Sequence, residues 1–410
     1  MLPYGATLIP IFLLRLSLTM ATDTTASAAA TAAVGDAKFA SKLYHQLANA
    51  QGNGNLIVSP VSIRTGLALL YLGADGITEQ QLKQGLELQT ASSKSEVAQQ
   101  FAQLVTKKAK IPVDGEDVPE LKYANRIYVA QQYQLATAYQ DLVGKNFNAS
   151  AENVNFALDS KATAEHINTW VEEQTKGHIK DLISSDSLDA STAAVLINAI
   201  YFKGNWLQIF EEYQTEPREF TSQSGQKVKV DTMYQSDYFQ YADLPELKAK
   251  ALELPYENTD IVFLILLPHQ EQGLSDLEEQ LKNLDLNEIS QKLKRQKVEV
   301  QLPKFKYEFD ISLQPVLEKL ALVSLFSGEA NFNSLLQSPA PLHISEVKHK
   351  ALIEVNEKGT TATGASFSKV VLELEVIGEV TYNFTVDHPF FFAIKDKQNT
   401  YFLGHVTTLS

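Results

Sequence analysis

The chain has 410 residues, 44% of them hydrophobic and 20% charged, so it can bury a large core and is not a disordered polymer. Its net charge of −14 argues against a nucleic-acid partner, because phosphate neutralisation needs clustered Lys and Arg. The absence of cysteine excludes disulfides, thiolate zinc sites and thiol nucleophiles, and leaves the redox compartment unmarked.

In chain order, Ala6 to Leu18 ("ATLIPIFLLRLSL") is an apolar run of signal-peptide length, followed by Thr19 and Ala21 at cleavage-site spacing. Residues 1–21 therefore read as a signal peptide and the protein as secreted and extracellular. An intracellular form starting at Met20 is the alternative, since no Lys or Arg precedes the run and Arg15 interrupts it. The sequons at Asn148 ("NAS") and Asn383 ("NFT") are glycosylation sites in the secretory case. Residues 22–35 form a low-complexity segment.

Folded structure is expected from Asp36. Phe39, Leu43, Tyr44 and Leu47 share one helical face. "SPVSIRTGLALLYLGA" predicts a helix with Ser59 as N-cap, Pro60 at the first helical position and Gly73 near the stop. Helical patterns continue in "ITEQQLKQGLEL" and "SEVAQQFAQLVTKKA", whose Lys107, Lys108 and Lys110 read as a solvated helix end. "YANRIYVA" is strand-like, "KATAEHINTWVEEQTKGHI" helical and "AVLINAIYFKGNW" strand-like again.

After Glu216 strands dominate: "QKVKVDTMY", "YFQYA", "AKALELPY", "IVFLILLP", "KVEVQLPKFKYEFD", "KALIEVNE" and "FFFAIKD", with "LQPVLEKLAL" as one further helix. The apolar run Ile261 to Leu267 is too short to cross a bilayer as a helix and reads as a strand buried on both faces, so no transmembrane segment is expected. No linker or repeat divides the chain, and a helix-rich half feeding a strand-rich half predicts one α+β domain over 36–410.

Enzyme signatures are missing. There is no G-x-S-x-G elbow, phosphate loop or dinucleotide turn. His343, Glu346 and His349 have metal-like spacing only on a helix. The strand pattern around them would put Glu346 on the opposite face, so no metal and no cofactor is expected.

"NLIVSPVSI", "LINAIYFKGNW", "LPKF", "VKHKALIEVNEKGT" and "DHPFFFAI" together resemble the serpin family, in its order and at its distances, from about Asp36 to the C-terminus. The resemblance implies an α+β serpin fold with three β-sheets, eight or nine helices and an exposed reactive-centre loop, here about 357–380. It implies a monomeric, non-enzymatic inhibitor that is cleaved by a target serine protease and held to it in a covalent complex. The alternative is a non-inhibitory serpin acting as carrier, storage protein or chaperone. By the same resemblance, Ser59, Ser62, Asn198 and His349 match the shutter beneath the main sheet. Trp206, Lys304 and Glu357 match the region where insertion starts, with an ion pair expected between Lys304 and Glu357.

The loop's own residues agree with insertion. "EKGTTATGASFSKVVLEL" (357–374) contains no proline, which a central strand could not tolerate. Side chains alternate faces along a strand. Thr360, Ala362, Gly364, Ser366, Ser368, Val370 and Leu372 form one uncharged set, while Thr361, Thr363, Ala365, Phe367, Lys369, Val371 and Glu373 form the other. The resemblance places the hinge at Glu357, Gly359, Thr360, Ala362, Thr363, Gly364 and Ala365. It places the reactive bond between Glu373 and Leu374, with cleavage after Leu372 or Leu374 as the alternatives in a shifted register. No Arg or Lys is near that bond, which disfavours trypsin-like targets and leaves chymotrypsin-like, elastase-like or acid-specific ones. Three features depart from the family pattern: Thr361 stands where many inhibitory members have Glu, "LELEVIGEVTYNFTVDHP" is longer than usual, and "GHVTTLS" lacks the usual Asn-Pro or Asp-Pro.

Overall fold

A computed structural model of the chain describes residues 36–88, 91, 93–106, 119–147, 150–282, 285–360 and 380–410. Residues 1–35, Lys107 to Lys110, Asn148, Ala362 to Ala365, and Leu372, Glu373 and Leu374 lie outside the described residues.

Helix α1 covers residues 36–51. It is followed by β1 (Leu56–Val58), α2 (Pro60–Gly73), α3 (Gly76–Gly85), α4 (Lys94–Thr106), β2 (Glu120–Ala130), α5 (Thr137–Phe147), β3 (Ser150–Val154), α6 (Ser160–Gln174) and β4 (Ala194–Asn205). Then come β5 (Glu216–Thr221), β6 (Lys227–Leu244), β7 (Ala249–Pro255), β8 (Val262–Pro268), α7 (Leu274–Leu281), α8 (Leu286–Lys292), β9 (Lys294–Pro303) and β10 (Phe305–Ser312). The chain ends with α9 (Gln314–Lys319), β11 (Glu346–Asn356), β12 (Gly359–Thr360), β13 (Thr381–Thr385), β14 (Phe390–Lys395) and β15 (Thr400–Val406).

The start of α2 follows its sequence. Ser59 Oγ accepts from the Ser62 N–H at 3.2 Å, satisfying one of the orphan donors of the first turn, and Pro60 occupies a position whose amide would be unpaired anyway. The helix is apolar nearly all round, and all of it is buried, packed against β2, β4 and β15.

Among the described residues the strands form two sheets. The six-stranded sheet runs β10, β11, β12, β4, β2, β3, and the nine-stranded sheet runs β1, β15, β14, β8, β7, β6, β9, β13 with β5 added on β6. The three sheets implied by the family resemblance are thus joined into two. The cause is β6: "QKVKVDTMY" and "YFQYA" are one strand of 18 residues, which pairs with β5 at one end and β7 at the other and binds both groups of strands together. "KVEVQLPKFKYEFD" is conversely two strands. Pro303 ends β9 in one sheet, and the chain crosses through Lys304 to β10 in the other. Helices α7 and α8 also interrupt the strand-rich half, where only "LQPVLEKLAL" was expected to be helical.

The main core fills the space between the sheets around α2. A second cluster lies beneath α6, where Ala164, Ile167 and Val171 share a buried layer with Val195, Ile197 and Ala199 of β4 and Leu352 of β11. Among the described residues no helix is long and apolar enough to cross a membrane.

Candidate functional site

The site is the seam between β4 and β11 at the centre of the six-stranded sheet. Over most of its length the two strands pair directly and in parallel, Glu346 opposite Val195 through Ala351 opposite Ile200. At one end they part around β12. Gly359 and Thr360 pair antiparallel with Asn356 and Val355 of β11 on one side and with Asn205 and Gly204 of β4 on the other. The polypeptide after Glu357 thus already occupies the first two rungs of a central strand.

Residues around this point fix the chain that turns into it. Asn356 Oδ1 accepts from the N–H groups of Lys358 at 3.0 Å and Gly359 at 3.2 Å, forming the turn. Trp206, buried and stacked on Tyr256 with centroids 4.6 Å apart, donates its indole N–H to Asn356 O at 2.9 Å and its backbone N–H to Lys358 O at 2.9 Å. Glu357 Oε1 lies 2.9 Å from Lys304 Nζ, the pairing implied by the family resemblance, and accepts from Thr215 Oγ1 at 2.9 Å. Burial pushes the Glu357 carboxyl up, but the Lys304 and Thr215 hydrogen bonds outweigh it and hold the group below the usual carboxylate range.

Gly359 has no substitute here. A Cβ on it would fall 2.0 Å from Gly204 O and 2.8 Å from the Asn205 Cα. Gly359→Ala is expected to expel the two-rung seat, raising amide exchange across 357–360 about tenfold or more in a hydrogen–deuterium experiment. Unchanged exchange would show that the seat accepts a side chain.

Six rungs along the seam sits a buried polar cluster. His349 Nε2 accepts from the Ser59 N–H at 3.3 Å, and its Nδ1–H donates to Asn198 Oδ1 at 2.5 Å. The Asn198 amide donates in turn to Ser62 O at 2.7 Å, to Ser62 Oγ at 2.8 Å and to Asn125 Oδ1. Ser59, Ser62, Asn198 and His349 are thus brought together, spanning β4, β11 and the first turn of α2. With Nε2 engaged as an acceptor, a second proton on the ring would oppose the Ser59 N–H. Burial accordingly lowers the His349 pKa to about 3.

Two members of the site are absent from the sequence reading. Asn125 of β2 completes the polar cluster. Its signal was a buried-strand position held by a residue that strands disfavour. Tyr256, between β7 and β8, packs on Trp206 and Phe202 and meets Thr360 through its hydroxyl, with no local pattern to mark it. Glu346 begins strand β11, so the helical spacing that a His343, Glu346 and His349 metal site would need is not formed. Asn383 lies exposed on β13.

Residues 35–409 match the family described as Serpin (serine protease inhibitor). Serine protease inhibitor 42Dd of Drosophila melanogaster is 36% identical over 90% of this chain and 95% of its own. The leukocyte elastase inhibitor of Sus scrofa is 34% identical over 90% of this chain and 97% of its own. Among solved structures, cleaved Serpin 42Da superposes with a TM-score of 0.82 at 36% identity, covering 93% of this chain and 100% of that one.

Proposed function

The chain belongs to the serpin family, and from that premise we propose that it is an irreversible suicide-substrate inhibitor of a serine protease, trapping its target by inserting, between β4 and β11, the part of the cut loop that runs from Thr360 to the reactive bond. The observation that carries this reading is the seat of Gly359 and Thr360, uncharged and buried, with strand pairing on both sides. Serpin loop insertion is strand addition to a sheet, and here the first two rungs exist before any cut.

The protease serine attacks the Glu373 carbonyl, or that of Leu372 in the shifted register, and is acylated as the bond to the next residue breaks. The freed loop then continues the register of β12, each residue advancing one step back along both β11 and β4. Ala362 arrives opposite Ile353 and Phe202, Gly364 opposite Ala351 and Ile200, and Ser368 opposite Val347 and Leu196, all on the main-core side. Small uncharged residues suit that face. The alternate set arrives on the α6 side, where Lys369 comes opposite Glu346.

Ser366 arrives between His349 and Asn198, so insertion exchanges their hydrogen bond for bonds to a serine hydroxyl. Roughly a dozen new ladder bonds at about 1 kcal/mol each release on the order of 10 kcal/mol, and the uninserted chain is held by a kinetic barrier. The acyl-enzyme is carried along and distorted before it can deacylate.

The sequence "VVLEL" around the bond supports a chymotrypsin-like, elastase-like or acid-specific target. The apolar N-terminus supports a secreted protein glycosylated at Asn383 and Asn148. Incubation with proteases of each specificity, read by SDS gel and by mass spectrometry of the released peptide, tests the reading. A covalent band with one cleavage site is expected. Cleavage by every enzyme with no covalent band would overturn it and favour a carrier or storage role.

A further inference from the structure

The hydroxyl of Tyr256 lies 2.5 Å from Thr360 Oγ1, and both groups are buried. Tyr256 is not part of the six-stranded sheet. It follows β7 of the nine-stranded sheet and is bridged through its backbone to Trp206 just past the end of β4, its ring stacked on Trp206 and edge-on to Phe202 at 4.9 Å. The contact therefore ties Thr360, the second of the two seated residues, to a tyrosine whose ring is held by Trp206 and Phe202 at the end of β4. Burial keeps the phenol protonated. A buried hydroxyl pair of this kind is costly to break because neither partner has water to turn to.

We propose that Tyr256 is a positioning residue for inhibition: its hydroxyl holds Thr360 in the seam before cleavage, so that insertion extends a strand already begun instead of having to nucleate one. This rests on the inhibitory reading above. Starting a strand fixes residues before pairing rewards them, so a pre-seated rung shortens the interval in which the acyl-enzyme can deacylate. Tyr256 therefore acts on the partition between trapping and release, and not on the cut itself.

The test is the number of inhibitor molecules consumed per protease trapped, measured with full-length chain and chymotrypsin or whichever protease forms the covalent band. Removing one net hydrogen bond changes a rate or equilibrium about fivefold, so Tyr256→Phe is expected to raise the excess over one molecule per protease about fivefold, with cleavage rate unchanged. Thr360→Val removes the same bond while keeping the branched shape, and should do likewise. The double variant should be no worse than either single one, because both remove one shared interaction, whereas Thr360→Ser keeps the hydroxyl and should behave as the parent.

Additive effects in the double variant, or an unchanged stoichiometry in Tyr256→Phe, would overturn the proposal by leaving Tyr256 a packing residue. Hydrogen exchange across 357–360 reads the same tie without any protease, and Tyr256→Phe should speed it about fivefold. If no protease forms a covalent band, the inhibitory reading fails, and faster exchange would then still establish the tie while unchanged exchange would remove it.

Discussion

Thr360→Arg is expected to abolish the proposed covalent complex and to turn the protein into a substrate that is cleaved at the same bond and releases active protease. The reason is local. Thr360 is fully buried, paired on both sides by β4 and β11, and its side chain points at the Tyr256 hydroxyl within the main core. A guanidinium there has no carboxylate to meet: the nearest acid of the hinge, Glu357, is already bonded to Lys304 and Thr215. Burying the unpaired charge costs at least several kcal/mol, enough to slow insertion by two or more orders of magnitude relative to deacylation. Gel assay of the complex and residual protease activity after cleavage check both halves of the expectation. A covalent band of parental intensity would mean that insertion does not pass through this seat.

What could be read in the sequence depended on whether the signal was local. The N-cap at Ser59 is a short-range pattern, and α2 formed where that pattern placed it, whereas Gly359 and Thr360, expected within the exposed loop, are buried in β12 because β4 and β11 part far enough at that end to pair with them on both sides. The pairing of Lys304 with Glu357 came from family likeness, not from residue chemistry, since Lys and Glu are both common on surfaces. The described strands join into two sheets instead of three because a strand's length decides how many partners it can hold. Nothing in "QKVKVDTMY" and "YFQYA" says that the residues between them stay extended. Helix α7, "LSDLEEQL", leaves little trace in the sequence because it presents only one short apolar stripe, Leu274, Leu277 and Leu281, amid strand-rich flanks. Asn125 and Tyr256 were invisible for a different reason. Their partners lie 73 and 104 residues away, and only the closed sheets bring them together.

The second large effect is in the pH dependence of stability. His349 has its folded pKa lowered to about 3 by burial, against an ordinary 6.5. Between those values the unfolded chain binds the proton and the folded chain does not. Stability from this group is therefore complete above pH 6.5 and falls as pH drops, by about 1.4 kcal/mol per pH unit. Asp36 works in the opposite direction. Burial raises its carboxyl from 3.8 to about 6, against the lowering influence of Arg64, so the folded state takes up its proton first and gains stability as pH falls through that window. The two contributions mask each other in the parent protein alone, and a matched variant separates them. Comparing the parent with His349→Gln, the parent's advantage is expected to shrink by about 2 kcal/mol between pH 6.5 and 5, read from urea or thermal midpoints at a fixed scan rate, while the Asp36 contribution cancels. Parallel profiles would mean that His349 accepts a proton in place. Because His349 bonds Asn198 across the β4–β11 seam, the acid that strains this residue also weakens the line along which the sheet would open in the proposed insertion. Amide exchange along 346–351, corrected for the intrinsic pH effect, should therefore rise at pH 5 in the parent more than in the variant.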